Sequence, residues 1–204
     1  MLKNLLIHIL RILSQITLWR FKPTIIGVTG SVGKTSTKEA IFCVLKNKFD
    51  VRRNQKNYNN EIGVPLTILG VESGVSSPFK WMREIILAVY KIIFARKYPE
   101  ILVLEMGADK IGDIGYLTSF IKCRVGVLTA IGQIPVHVEF FRTPEQVAKE
   151  KGKLIKSLPA DGFAILNFDD ERVKKTAGVS SARKIFFGFN EGADLKASQT
   201  EIHL

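Results

Sequence analysis

Cysteine and histidine are both scarce in this chain of 204 residues, which has two of the first and three of the second. Cys43 falls in a helix-like stretch and Cys123 just before a strand-like one, and neither has a neighbour at metal-ligand spacing. That excludes a cysteine-built zinc module and a disulfide scaffold, and both thiols are expected to be free and buried in a reducing cytoplasm. Acidic residues are also few: 19 Asp and Glu face 30 Lys and Arg, a formal net charge of +11. Such an excess favours an anionic partner, whether nucleotide, nucleic acid or acidic lipid. The positive charge is spread out and no base-stacking or groove-reading motif accompanies it, so nucleic acid is not expected. Internal repeats and low-complexity linkers are missing. A long unbroken apolar run is missing too: Lys3, His8, Arg11 and Arg20 interrupt MLKNLLIHILRILSQITLWR, and no small-residue cleavage site follows. A spanning helix and a signal peptide are therefore both disfavoured.

What is present is ample apolar material, 46% of the residues, enough for a packed core. In residues 1–22, Leu2, Leu5, Leu6, Ile9, Leu13 and Ile16 recur at helical spacing, which predicts an N-terminal amphipathic helix. It can dock on this or another protein domain, or lie flat on a bilayer. Beyond it, TIIGVT at 24–29 reads as a strand, followed by a glycine-rich turn and the helix-compatible KTSTKEAIFCVLKN. Further strands are expected at 101–106, 125–131, 163–167 and 184–187, separated by helices at 112–122, 144–158 and 170–177. The alternation predicts an α/β fold with a mainly parallel, doubly wound sheet, its ligands at the carboxyl ends of the strands. Between the first two strong strands lie the polar VRRNQKNYNNEIG, a short apolar helix, and FKWMREIILAVYKIIFARKYP. The last reads as a core-facing helix with Trp81, Ile85, Ile86, Val89, Ile92 and Ile93 on one side and basic residues around the rest; with the N-terminal helix it offers an alternative, a basic apolar surface for acidic lipid.

The turn reads Gly27-Val-Thr-Gly30-Ser31-Val32-Gly33-Lys34-Thr35-Ser36. Glycines let successive amides face phosphate oxygens, the helix N-terminus adds positive potential, Lys34 reaches the terminal phosphates and the Thr35 hydroxyl can coordinate magnesium. A strict phosphate loop has glycine where Val28 stands; GxxGxxGKT is a variant of it. ATP and Mg²⁺ are the expected ligands, with Gly30 to Ser36 holding the nucleotide. Glu105 ends the ILVLEM strand, where a carboxylate can face the loop and hold the metal.

VTGSVGKTSTKE resembles the nucleotide loop of the Mur ligases, which join an amino acid or dipeptide to a UDP-linked muramyl precursor of peptidoglycan. NYNNEIGVPLTIL and LEMGADKIGDIGYL are similar to the type that adds D-alanyl-D-alanine. The likeness covers roughly residues 24 to 190, and it implies that residues 23–204 form the central ATPase domain of such a ligase, incomplete at its C-terminus. It also implies P-loop-type nucleotide binding, an acyl-phosphate route with Lys34 and Lys151 as catalytic residues, and a UDP-N-acetylmuramoyl peptide and D-alanyl-D-alanine as substrates. His137, in PVHVEFF, resembles the histidine that helps hold a second magnesium, and Lys151 matches the lysine that these enzymes carbamylate into a metal ligand. Two features depart from the family pattern: Lys153 stands where an acidic or related residue is usual, and IGQIPVH is two residues longer than the common IGEAH. Asn57, Asn59 and Asn60 suit hydrogen bonding to a polar substrate, and turn formation is the other reading of them. Asn167, Asp169 and Asp170 resemble the N-x-D-D segment closing a central strand, read as helix capping and support. The resemblance further implies a cytoplasmic protein, peripheral to the membrane if the basic helices touch lipid, with a separate chain as one source of the missing domains. A folylpolyglutamate or cyanophycin synthetase-like ligase and a noncatalytic membrane-associated nucleotide module are the alternatives.

Overall fold

The computed structural model describes residues 2–55, 57–75, 77–132 and 141–198. Its elements run α1 (Leu2–Phe21), β1 (Thr24–Thr29), α2 (Lys34–Leu45), β2 (Val51–Arg53), α3 (Gly63–Leu69), α4 (Pro78–Phe94), β3 (Ile101–Glu105), α5 (Asp113–Phe120), β4 (Val125–Leu128), α6 (Pro144–Lys156), β5 (Phe163–Asn167), α7 (Glu171–Thr176), β6 (Arg183–Gly188) and β7 (Leu195–Lys196). The seven strands form one sheet in the order β2-β3-β1-β4-β5-β6-β7, and every recorded pairing is parallel. After β1 the chain builds one side of the sheet and then crosses to the other. β1 is therefore the point where the winding reverses, and a crevice opens beyond its carboxyl end.

Strand residues alternate between two apolar layers. Leu102 and Leu104 point into a cluster with Ile114, Leu117, Leu154 and Ile155 of α5 and α6. Ile101 and Val103 point the other way with Val28 and Val127, joined by Ile41 and Leu45 of α2. This is the period-two alternation of a strand covered on both faces. A third cluster, holding Leu10, Leu66, Leu69, Ala88 and Ile92, joins α1, α3 and α4.

Local chemistry sets the helix starts. Ser77 and Thr143 accept hydrogen bonds from the amides of Lys80 (3.4 Å) and Gln146 (3.3 Å), with prolines at the first turns of α4 and α6. Hydroxyl caps and first-turn prolines are the usual solution for orphan amides. Asp170 caps α7 through the amides of Arg172 and Val173.

Three expectations need correction. Cys43 is exposed, and only Cys123 is buried, because α2 turns Ile41 and Leu45 rather than Cys43 toward the sheet. The fourth strand stops at Leu128 instead of 131, since Thr129 and Ala130 turn away to bond the glycine loop. The apolar residues of α4 do not share one face: Ile92 is buried, whereas Ile86, Val89 and Ile93 are exposed.

Candidate nucleotide site

β1 carries the loop. Thr29 hydroxyl donates to the Met106 carbonyl at 2.8 Å, clamping the ends of β1 and β3 together, and Val28 stands in register with Glu105. Past Thr29 the chain bends through Gly30 (φ +152°) and Gly33 (φ +82°), angles that glycine adopts without penalty. A Cβ on Gly30 would lie 1.9 Å from Thr129 Oγ1. That hydroxyl donates to the Val32 carbonyl at 2.6 Å, and the Ser31 amide donates to the Ala130 carbonyl at 2.6 Å. The end of β4 thus fixes the bend, and α2 begins at Lys34 with its free amides toward the crevice.

Ser31, Lys34, Asn59, Asp109 and Lys151 line a single polar cavity of about 110 Å³, walled also by Gly107, Phe141 and Val147. Lys34 Nζ donates to the Ser31 carbonyl at 3.2 Å, folded back over the loop. Thr35 Oγ1 donates to Glu105 Oε2 at 3.0 Å, and Asn59 Nδ2 donates to Oε1 of the same carboxylate at 3.3 Å. Glu105 is 4% exposed, so its charge needs compensation. A buried lysine supplies it: Lys38 Nζ lies 3.5 Å from Glu105 Oε2 and 3.4 Å from Glu39 Oε1.

Lys151 is 4% exposed, whereas its neighbours Lys149 and Lys156 are exposed on α6. The alternative of a solvated basic helix face therefore fails for Lys151. Burial first, and then the positive charge of Lys34, bring its ammonium down to about 8, against the pull of Asp109 and Glu150. Glu150 accepts from the amides of Ile114 (3.0 Å) and Gly115 (3.4 Å) and pairs with Lys153.

Among residues singled out in the sequence, Ser31, Lys34, Asn59 and Lys151 meet in one cavity, with Thr35 and Glu105 joined beside it. Val32 is exposed and Ser36 lies on the exposed first turn of α2. Asn60 faces elsewhere: its side chain accepts from the amides of Ile62 and Gly63 at the start of α3, and it borders a separate cavity with Lys3, Lys110 and Tyr116. Asn57 is exposed in a turn, its carbonyl accepting from Asn59. For both, the turn-forming reading fits the contacts. His137 lies outside the described residues. Asp170 accepts from the Ile131 amide at 2.7 Å, and Asp169 accepts from the amides of Phe189 and Asn190.

Two residues escaped the sequence reading. Lys38 stands one helical turn after Lys34, a spacing that puts both on the same face; that was the available signal. Asn54 is 1% exposed, and it pins Glu105 by accepting from its amide at 2.6 Å and donating to its carbonyl at 3.2 Å. No periodic pattern marks it.

As a metal site, the pair Thr35 and Glu105 fits magnesium, which takes one or two protein oxygens and completes its shell with phosphate and water. Among the described residues no group of three or more His, Cys, Asp or Glu side chains converges, so a cage built from protein alone is not what these residues offer.

A parallel sheet reversing at β1, with a glycine loop and a lysine-led helix at that point, defines an α/β domain of the phosphate-loop class. The family comparison narrows it: residues 28–78 and 84–204 match the Mur ligase middle domain, and the chain belongs to that family. It is 34% identical over 177 residues to a UDP-N-acetylmuramoyl-tripeptide--D-alanyl-D-alanine ligase of Synechocystis, covering 86% of this chain and 33% of that protein. It resembles the structure of MurF ligase from Thermotoga maritima in complex with ADP with a TM-score of 0.70 and 34% identity, over 91% of this chain and 37% of that one. Escherichia coli FolC in complex with ADP shares the fold, with a TM-score of 0.56 at 14% identity, over 88% of this chain and 46% of that one. The chain spans about a third of the length of the Mur ligase relatives.

Proposed function

We propose that this chain is the ATP-handling domain of an amide ligase of peptidoglycan precursor synthesis, one that adds D-alanyl-D-alanine to a UDP-N-acetylmuramoyl peptide. The observation that carries the reading is the convergence of Lys34 and Lys151 on one polar cavity, with the Thr35–Glu105 pair tied to it through Asn59. The 34% identity to ligases of that name, against 14% to FolC, supports it over a folylpolyglutamate-type activity. In this reading residues 23–204 are the ATPase unit and α1 is an accessory helix. Recognition of the acceptor and the dipeptide belongs to regions that the relatives carry beyond the matched third, on this polypeptide or another.

The chemistry follows from the donor set. A carboxylate oxygen of the acceptor peptide attacks the γ-phosphorus of ATP, the bond to the β,γ-bridging oxygen breaks, and ADP leaves with that electron pair. The product is an acyl phosphate. The dipeptide amine then attacks its carbonyl carbon, phosphate departs, and the amine proton passes to solvent or a base. Lys34 and the loop amides stabilise negative charge on the phosphoryl oxygens as it develops, which needs only preorganised donors. Magnesium, held by Thr35 and Glu105, would supply further charge neutralisation on the phosphates. Asn59 and Asn54 keep Glu105 oriented.

With an ammonium brought down to about 8 by burial, Lys151 is still mostly protonated at neutral pH but has a far larger neutral fraction there than an ordinary lysine. Its nitrogen lone pair can therefore attack carbon dioxide, losing one proton, to give a carbamate. That converts a cation into an anionic oxygen donor beside the cavity.

Calorimetry of Mg²⁺–ATP on the intact chain and on Lys34→Ala tests the reading. Binding that weakens at least ~10-fold in the variant, roughly 1.4 kcal/mol, supports it. No binding by the unmodified, folded chain overturns it.

A further inference from the structure

α4 is apolar on two opposite sides. Its inner side, with Ala88 and Ile92, packs into the cluster shared with α1 and α3. Its outer side carries Phe79, Met82, Ile86, Val89 and Ile93, all exposed, spaced three, four, three and four residues apart and so aligned as one stripe. A helix with a second, uncovered apolar stripe exposes a contiguous apolar patch of the kind that marks a contact surface. α1 repeats the pattern, with Leu2, Leu5, Ile12, Ile16 and Trp19 exposed along one side and Leu10 facing inward. The two stripes border the same apolar groove of about 550 Å³, whose walls include Leu2 and Leu5 of α1 and Met82 and Ile86 of α4. Arg20 locks the two helices together by donating to the carbonyls of Ile93 (2.9 Å) and Ala95 (3.2 Å) at the end of α4. The surface is thus a fixed double-helix layer.

Charge identifies what covers it. α1 contains no acidic residue. α4 contains one, Glu84, and that carboxylate accepts from the Glu72 amide at 3.1 Å. Lys80 and Arg83 on the flank of α4, and Arg96 and Lys97 just beyond its end, are exposed. A second copy laid face to face on this surface would oppose cation to cation. An anionic bilayer answers both features, accepting the apolar stripes at the acyl boundary while its headgroups meet the lysines and arginines. Among the described residues no helix is long and apolar enough to cross a membrane, so the geometry is that of helices lying in the interface. The match to the family model breaks at residues 79–83, within the first turns of α4.

We propose that the α1–α4 face docks the protein on anionic lipid. Co-sedimentation of the intact chain with vesicles of equal phosphatidylglycerol and phosphatidylcholine, and with phosphatidylcholine alone, tests this independently of the ATP reading. The chain is expected to pellet with the anionic vesicles and to be released by high salt. Met82→Asp/Ile86→Asp changes side chains that are 55% and 61% exposed, so the fold survives, as circular dichroism will show, and vesicle partitioning falls at least ~10-fold. Lys80→Glu/Arg83→Glu removes the preference for anionic lipid. The proposal is overturned if the folded chain stays in the supernatant with anionic vesicles, or if both variants partition like the original. It is equally overturned if light scattering finds a dimer that Met82→Asp/Ile86→Asp splits while no vesicle binding occurs, which makes the face a contact between copies.

Discussion

Lys38 Nζ lies 3.5 Å from Glu105 Oε2, and the two residues are 1% and 4% exposed. A carboxylate so placed requires a cation, and the protein supplies one in Lys38. Lys38→Met removes that partner and leaves Glu105, among the described residues, with the hydroxyl of Thr35 and the amide of Asn59 at its oxygens. The loss is expected to reach about 3 kcal/mol, the scale for breaking a buried pair from one side. Mg²⁺–ATP should then raise the melting temperature of the variant by more than it raises that of the original chain, because the metal takes over the neutralisation. Thermal unfolding with and without the ligand measures both. Equal ligand-induced shifts would sink the idea that Lys38 acts as the resident countercharge.

Gly30 makes a sharper test of the loop. Alanine there would place its Cβ 1.9 Å from Thr129 Oγ1 on a backbone at φ +152°. Thr129 has little freedom to yield, since its hydroxyl already reaches the carbonyls of Thr29 (3.3 Å) and Val32 (2.6 Å). Gly30→Ala should cost about 1–3 kcal/mol in urea unfolding and abolish measurable nucleotide binding by calorimetry. Retained affinity would show that the bend can reshape without loss.

These two residues mark the limits of reading the sequence. The bend at Gly30 was legible because a β-branched run, three spaced glycines and a lysine-led helix agree on one local structure. Lys38 was not, since a helix pattern says which residues share a face but not that a lysine on it will be sealed from water. β2 went unread for a related reason: Val51–Arg53 is a three-residue edge strand in a polar stretch, paired only with β3, and it carries no pattern of its own. In α4 the apolar periodicity was visible, but it assumed one apolar face and the helix has two. The shortening of β4 depends on the Thr129 hydroxyl donating to Val32 and the Ala130 carbonyl accepting from Ser31, in a loop distant in the chain, which no local signal contains.

The two cysteines should separate cleanly. Cys43 is exposed and Cys123 buried, and burial pushes the Cys123 thiol up to about 12, where almost no thiolate exists at neutral pH. Maleimide labelling of the native chain at pH 7.5 should modify Cys43 alone, with Cys123 reacting only in denaturant. Peptide mapping by mass spectrometry decides it, and rapid native labelling of Cys123 would place it outside the packed layer under the sheet.

Lys151 should make stability depend on pH from about 8 upward. Its ammonium titrates at about 8 in the folded protein, against an ordinary 10.5, because burial and then Lys34 disfavour the charge. Between those values the unfolded chain holds the proton that the folded chain has released, so the contribution of Lys151 to stability rises as pH climbs from about 8 to about 10.5, opposed above 9.0 by the buried Cys123 thiol, which only the unfolded chain ionises there. Below that window both states are protonated and the full penalty of burying the ammonium remains, about 3 kcal/mol by the size of the shift. Lys151→Met removes that penalty, so the variant should be the more stable protein at pH 7, by about 1–3 kcal/mol, while the two converge near pH 10. Urea midpoints across this range test the sign. The same depressed proton affinity makes the amine available to carbon dioxide, and ¹³C-bicarbonate should therefore produce a carbamate resonance at pH 8 in the original chain that Lys151→Met lacks. A pH profile that matches the variant's, with no labelled carbamate, would mean that Lys151 stays a hydrated ammonium, and it would remove this residue from the metal-binding role.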